Sequence, residues 1–145
     1  MTRPNHVEFP KIVCLCGSTK YVDEFQRAGA AETLAGNIVL SIGVWGPRNG
    51  RGGNITQAEY ESHKGHLDQL HFRKIEMADE ILFLNVGGYI GESTTRELEY
   101  ARQLGKAIRF QFGPNGEPGL GQTEPAREQE SQPQNTRKFR KITIP

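Results

Sequence analysis

The sequence predicts an α/β fold, a parallel sheet of about four to five strands flanked by helices and followed by a disordered tail. Three observations predict it. Short, almost continuously apolar runs recur up to Phe112, as expected of strands buried on both faces. Segments with apolar residues at helical spacing separate them, the alternation of a βαβ chain with right-handed crossovers. Beyond Phe112 the composition turns to Gly, Pro, Gln, Glu and Ser, with little to bury. Residues 1–112 therefore read as one domain and 113–145 as a disordered tail with a basic end, Arg137-Lys138-Phe139-Arg140-Lys141.

Taken in order, Lys11 to Cys16 (KIVCLC) is the first strand, and Gly17-Ser18-Thr19 makes a tight turn. Tyr21 to Leu34 places Tyr21, Phe25, Ala28 and Leu34 at helical spacing. Asn37 to Val44 is the second strand. The glycines, proline and arginines between Trp45 and Ile55 rule out regular structure and predict a mobile loop, in which Trp45, Arg48 and Arg51 either fold over a base and an anion or stay solvated. Thr56 to Glu59 fits a capping box, though Gly65 should weaken or break the helix it starts. Leu67 to Asp79 resumes that helix with Leu67, Leu70, Ile75 and Ala78 on one face, and His71 falls on the same face. A strand at Glu80 to Val86, a helix at Ser93 to Lys106 and a strand at Ala107 to Phe112 complete the ordered part.

Composition narrows the function. With 145 residues and a net charge of +1, the chain gives no global reason to bind nucleic acid. Cys14 and Cys16 lie two residues apart in one strand, a poor geometry for a disulfide and too few for a zinc site, so they read as free thiols in a reducing cytoplasm. His63 and His66 form an H-x-x-H pattern with no acidic or thiol partner at metal spacing. Neither metal nor cofactor is expected. No apolar h-region stands in MTRPNHVEFP, and no run reaches the roughly 18 apolar residues of a membrane span, so a soluble cytoplasmic protein is expected.

In such a fold the ligand crevice lies at the carboxyl ends of the strands, where the Gly17-Ser18-Thr19 turn and the Gly87 to Ser93 loop both fall. Asn85 ends a strand there, and Gly87, Gly88 and Gly91 let the backbone turn and a ligand approach it. Ser93 and Thr94 are placed to cap the next helix, whose N-terminus offers an anion site. Glu97, within a turn of that site, is the candidate nucleophile or general base; alternatively, Thr94-Thr95-Arg96-Glu97 is a capping box and Glu97 only reaches back to the Thr94 N–H. Glu92 can pair with Arg96, and Glu99 should point away from the apolar face. His71 is either a satisfied core histidine or a proton donor at the crevice. Gly17-Ser18-Thr19-Lys20 lacks the spacing of a Walker loop but suits a turn that holds one phosphate or sugar hydroxyl, or a plain strand-to-helix cap.

Together, the CGST turn at Cys16 to Thr19, the ADEILFLN run at Ala78 to Asn85, and the loop leading to Thr94-Thr95-Arg96-Glu97-Leu98-Glu99-Tyr100-Ala101 resemble the nucleoside 2-deoxyribosyltransferase family, including its 2'-deoxynucleoside 5'-phosphate N-hydrolases. The resemblance covers about Lys11 to Phe112. It implies a flavodoxin/Rossmann-like sheet and cleavage of an N-glycosidic bond, with Glu97 as the glutamate that attacks C1' and Gly17, Ser18 and the Ser93 region holding sugar or 5'-phosphate. Where the family usually places a base-contacting aspartate, eight residues before Asp79, this chain has His71. The family's C-terminal elements, which often complete a neighbouring subunit's site, are replaced by the Gly/Pro/Gln tail.

The expectation is an enzyme that cleaves or exchanges the N-glycosidic bond of a nucleoside or nucleoside 5'-monophosphate. Glu97 and His71 are its catalytic residues, and Gly17, Ser18, Thr19, Asn85, Gly87, Gly88, Ser93 and Thr94 bind the substrate. Three rivals stand beside it: a catalytically silent nucleotide-binding or sensor domain, a cytokinin riboside phosphate hydrolase-like enzyme suggested by GGYIGESTTRE, and an interaction module built on the basic tail. The expected partner is a nucleoside or nucleotide, not nucleic acid or membrane, and a homodimer or higher homo-oligomer is left open.

Overall fold

A computed structural model describes residues 9–47 and 52–128. The elements run β1 (Ile12–Cys16), α1 (Val22–Leu34), β2 (Ile38–Leu40), α2 (Gln57–Met77), β3 (Glu80–Phe83), α3 (Glu92–Gln103), β4 (Ala107–Phe110) and β5 (Thr123–Glu124). Short 3-10 turns at Thr19–Tyr21 and Val86–Gly88 follow β1 and β3. The sheet order is β2-β1-β3-β4-β5; the first four strands are parallel and β5 is antiparallel to β4.

Alternation along the strands explains the three layers. Val13 and Leu15 of β1, with Leu82 of β3 and the adjoining Leu84, meet Phe25 and Ala28 of α1 on one face. Cys14 and Cys16, with Ile81 and Phe83, meet Ile75 of α2, the adjoining Ala78, and Leu98 and Ala101 of α3 on the other. Both faces of β1 and β3 are thus covered, which is why these segments read as unbroken apolar runs. Burying each large side chain, such as Phe83, Leu15 or Ile75, contributes about 1.5–3 kcal/mol.

From β1 the chain passes through α1 to β2 on one side, then returns through α2 to β3 on the other. The reversal makes a switch point beyond the carboxyl ends of β1 and β3, where this Rossmann-like topology opens a crevice. Gly17 is required at its edge: a Cβ there would stand 3.1 Å from Leu84 Cβ and 3.2 Å from the Leu84 carbonyl oxygen. The 3-10 turn after β3 bends through Gly87 at φ 66° and Gly88 at φ 80°.

Several expectations need correction. Gly65 does not break α2, which is continuous from Gln57; the Thr56/Glu59 capping box anchors its start, with Glu59 N–H to Thr56 Oγ1 at 3.0 Å and Thr56 N–H to Glu59 Oε1 at 2.9 Å. At the other end Lys106 Nζ donates to the Glu76 and Ala78 carbonyls at 2.9 and 2.7 Å, satisfying groups that a helix terminus leaves unpaired. The second strand is shorter than its apolar run and ends at Leu40. Trp45 does not stand over the crevice as a free ring; it packs edge-on against Phe25 at 5.4 Å between centroids.

Order also extends past Phe112. Asn85 clamps the Phe112 backbone, donating to its carbonyl at 3.0 Å and accepting from its N–H at 2.9 Å. The chain then bridges Phe112 to Pro118 and returns as β5, where Glu124 pairs with Arg102, Nε to Oε1 at 3.0 Å. Composition measured how little this segment buries and missed the hydrogen bonds that a free strand edge supplies. The expectation of disorder for residues 129–145 and the basic cluster at Arg137 to Lys141 lie outside the described residues, as do Arg48 and Arg51. Among the described residues no helix is long and apolar enough to cross a membrane.

Candidate functional site

A cavity of about 280 Å³ opens at the switch point. That is the small end of the range for ligand pockets, about 300–1,000 Å³. Gly17, Ser18 and Thr19 after β1 form one wall, and Ser93, Thr94 and Glu97 of α3 form another. The long helix α2 closes it with His71, Lys64, Lys74 and Tyr60, and the segment after β2 contributes Ile42 to Val44. The turn after β1 is held by Ser18 Oγ, which accepts from the Lys20 N–H at 3.3 Å.

Helix α3 starts one residue earlier than its sequence suggests, with Gly91 as N-cap and no side-chain cap. Ser93 and Thr94 are therefore inside the first turn, and the proposed capping box at Thr94 to Glu97 does not form. Glu97 lies in the second turn and lines the cavity. An uncapped start leaves the first-turn N–H groups unsatisfied beside the cavity. Thr94 adds to that polar edge: its side chain is 2% exposed and has no hydrogen-bond partner among the described residues. Arg96 bonds Ser93 Oγ at 3.4 Å and does not pair with Glu92.

Beneath this wall His71 is buried against β1. Its Nε2 is 3.3 Å from Cys16 Sγ and 3.8 Å from Cys14 Sγ, which leaves Nδ1 without a hydrogen-bond partner among the described residues. Burial pushes the Glu97 carboxyl up to about 7; the charge of His71 opposes the rise, the charge of Cys14 adds to it, and a hydrogen bond with Cys16 opposes it. Burial also works against a protonated His71, but the hydrogen bond and charge of Cys14, with the charge of Glu97, hold its pKa above the ordinary value. Cys14 is brought down to about 6, first by its hydrogen bond with Cys16 and then, against the cost of burial, by His71 and Lys74. Cys16 is driven well above the ordinary thiol value by burial and by the neighbouring Cys14 and Glu97. Cys16 is thus the sulfur nearer His71, yet its neutral thiol is the favoured form, first because of burial, then because of the hydrogen bond and charge of Cys14, with Glu97 adding least.

Of the residues expected from sequence, the structure brings Gly17, Ser18, Thr19, His71, Ser93, Thr94 and Glu97 to one cavity. Asn85, Gly87 and Gly88 are not around it; Asn85 is occupied by the Phe112 backbone and the glycines shape the turn that leads to Gly91. Sequence reasoning missed Tyr60, Lys64 and Lys74, because which face of α2 meets the crevice depends on how the crossover packs. It also missed the junction of His71 with the two cysteines. The signal was present: Cys14 and Cys16 share one face of β1 by strand alternation, and His71 lies four residues before Ile75, which packs on that face.

The fold and the cavity define an α/β protein with a ligand crevice at the switch point of a parallel sheet. No protein-family model matches the chain, and no curated protein matches it. The functional reading rests on the site itself.

Proposed function

We propose that the chain cleaves or exchanges the N-glycosidic bond of a nucleoside or nucleoside 5'-monophosphate. The observation that carries this reading is that a carboxyl and an imidazole, Glu97 and His71, line one small cavity from two different helices. Glycosyl transfer through an oxocarbenium-like state needs a carboxylate on one side of the sugar and a proton donor for the leaving group on the other. In the proposed first step the Glu97 carboxylate attacks C1', the C1'–N bond breaks, and its electron pair leaves on the base nitrogen as His71 protonates the base. Water, or a second base, then attacks C1', releases Glu97 and returns a proton to His71.

The surroundings support a nucleotide. Tyr60, Leu67, Ile42 and Val44 offer apolar surface for a base, and the uncapped start of α3 with the Thr94 hydroxyl suits an anion. Lys74, anchored on the Ser41 carbonyl at 2.6 Å, borders the same cavity as a cation, whereas Lys64 is paired there with Asp68 at 3.3 Å.

A second reading is a catalytically silent nucleotide-binding or sensor domain. One observation favours it: Nε2 of His71 is engaged by thiols, so only Nδ1 is left for a substrate. Chromatography of free base from ribo and deoxyribo nucleosides and their 5'-monophosphates, with and without a second base, tests both readings. Release that needs the second base marks a transferase, release in water marks a hydrolase, and ligand-induced stabilisation without release marks the silent binder.

A further inference from the structure

We propose that Cys14, Cys16 and His71 form a binding site for a soft divalent cation, Zn²⁺ by its chemistry, beneath the cavity and open toward Glu97. The two sulfurs and the imidazole nitrogen all lie within 4.8 Å of one another. Tetrahedral zinc, with Zn–S about 2.3 Å and Zn–N about 2.0–2.1 Å, has an S···N edge of about 3.6 Å. The Nε2 to Sγ separations of 3.3 and 3.8 Å fall on either side of that edge, so both sulfurs stand at ligand spacing from the imidazole.

The ligands are held in advance. Cys14 and Cys16 are 0% exposed on the interior strand β1, and His71 is 7% exposed on α2, whose neighbouring Ile75 lies in the same core. The alternatives for this cluster are weaker. Residues two apart on one strand project the same way and cannot take disulfide geometry, and an apolar core gains little from two thiols and an imidazole placed head to head. A set of two sulfurs and one imidazole selects zinc-like ions over Mg²⁺ or Ca²⁺, which take oxygen ligands.

Three protein ligands leave one tetrahedral position. Glu97 lines the cavity together with His71, so a carboxylate and the open cavity stand next to the cluster. With the ion bound, His71 Nε2 gives up its lone pair to the metal, so its position is fixed more firmly than by the thiols alone. The proposal does not depend on the glycosidic reading, since uptake is measured without substrate.

The test uses the full chain, stripped with a chelator and given one equivalent of Zn²⁺, with X-ray absorption at the zinc edge. The expected shell has two sulfurs near about 2.3 Å and one imidazole nitrogen, and Co²⁺ in place of Zn²⁺ should show thiolate-to-metal charge transfer with tetrahedral visible bands. His71→Asn should weaken uptake by more than about 100-fold, while His63→Gln with His66→Gln leaves it unchanged. A shell of only nitrogen and oxygen, no stoichiometric uptake, or undiminished uptake by a folded His71→Asn protein would overturn the proposal. If that variant does not fold, the wild-type absorption shell decides alone.

Discussion

Cys16 Sγ lies 3.3 Å from His71 Nε2, which ties β1 to the long helix α2 beneath the cavity. The contact sets the imidazole's orientation from inside the core and gives the two ring nitrogens different tasks. Nε2 is engaged by sulfur, and Nδ1 is the nitrogen that the proposed mechanism assigns to a leaving base.

Replacing His71 by Asn should therefore slow release of bases that must be protonated by about 10²–10⁴-fold. A purine methylated at N7 already carries a positive charge in the nucleoside and departs as a neutral base without a proton, so the variant should lose far less with it. Rates measured on both substrates check this, and equal losses would assign His71 a structural role.

Thr94→Val preserves shape while removing a buried hydroxyl that has no partner among the described residues. The folded protein should be as stable as wild type or slightly more so. If the start of α3 receives the 5'-phosphate, affinity for a nucleoside monophosphate should fall by about 10–100-fold, the loss expected for a hydrogen bond to a charged group. Affinity for the nucleoside should be unchanged. Calorimetric titration with both ligands distinguishes the two effects.

Lys106 closes the end of α2 through the Glu76 and Ala78 carbonyls. Lys106→Met keeps most of the aliphatic stem and strands those acceptors, and should cost about 1–3 kcal/mol. Urea unfolding should show a lower midpoint with an unchanged slope.

Glu80 sits between Lys11 at 3.0 Å and Arg109 at 3.3 Å, and Arg109 also reaches Glu32 at 2.9 Å. Burial alone would raise the Glu80 pKa, but its bonds to Lys11 and Arg109 outweigh that and hold it below the ordinary 4.5. A carboxylate with a depressed folded pKa adds stability that is fully present above the ordinary value and is lost as pH falls through the folded one. Wild type should thus exceed Glu80→Gln in stability at neutral pH, and the gap should narrow on acidification below about 4.5. Thermal melts of both proteins across that range check the sign.

Much of this architecture was legible from particular residues. IVCLC and ILFL had to be buried because nothing polar interrupts them, and Phe25, Ala28, Ile75, Leu98 and Ala101 marked the inner faces of the helices that cover them. Helix boundaries were less legible, since Gly91 makes a start without a side-chain signal and Gly65 is tolerated in an exposed stretch of α2. The segment after Phe112 escaped because its order comes from backbone pairing and the Asn85 clamp, which composition does not record.

The site divides in the same way. Residues on loops after β1 and at the start of α3 were legible because topology alone puts them at the crevice. Lys64, Lys74 and Tyr60, and the meeting of His71 with Cys14 and Cys16, depend on the rotation of α2 against the sheet. All four positions lie on one helix, but only packing decides which of its residues face inward.

The most direct measurement is free-base release, by chromatography, from ribo and deoxyribo nucleosides and 5'-monophosphates incubated with wild type and with Glu97→Ala. The account predicts release by the wild type with at least one substrate, and its loss in a Glu97→Ala protein that remains folded. Release that persists in Glu97→Ala, or no release by the wild type from any substrate while nucleotides still raise its melting temperature, would contradict the role given to Glu97.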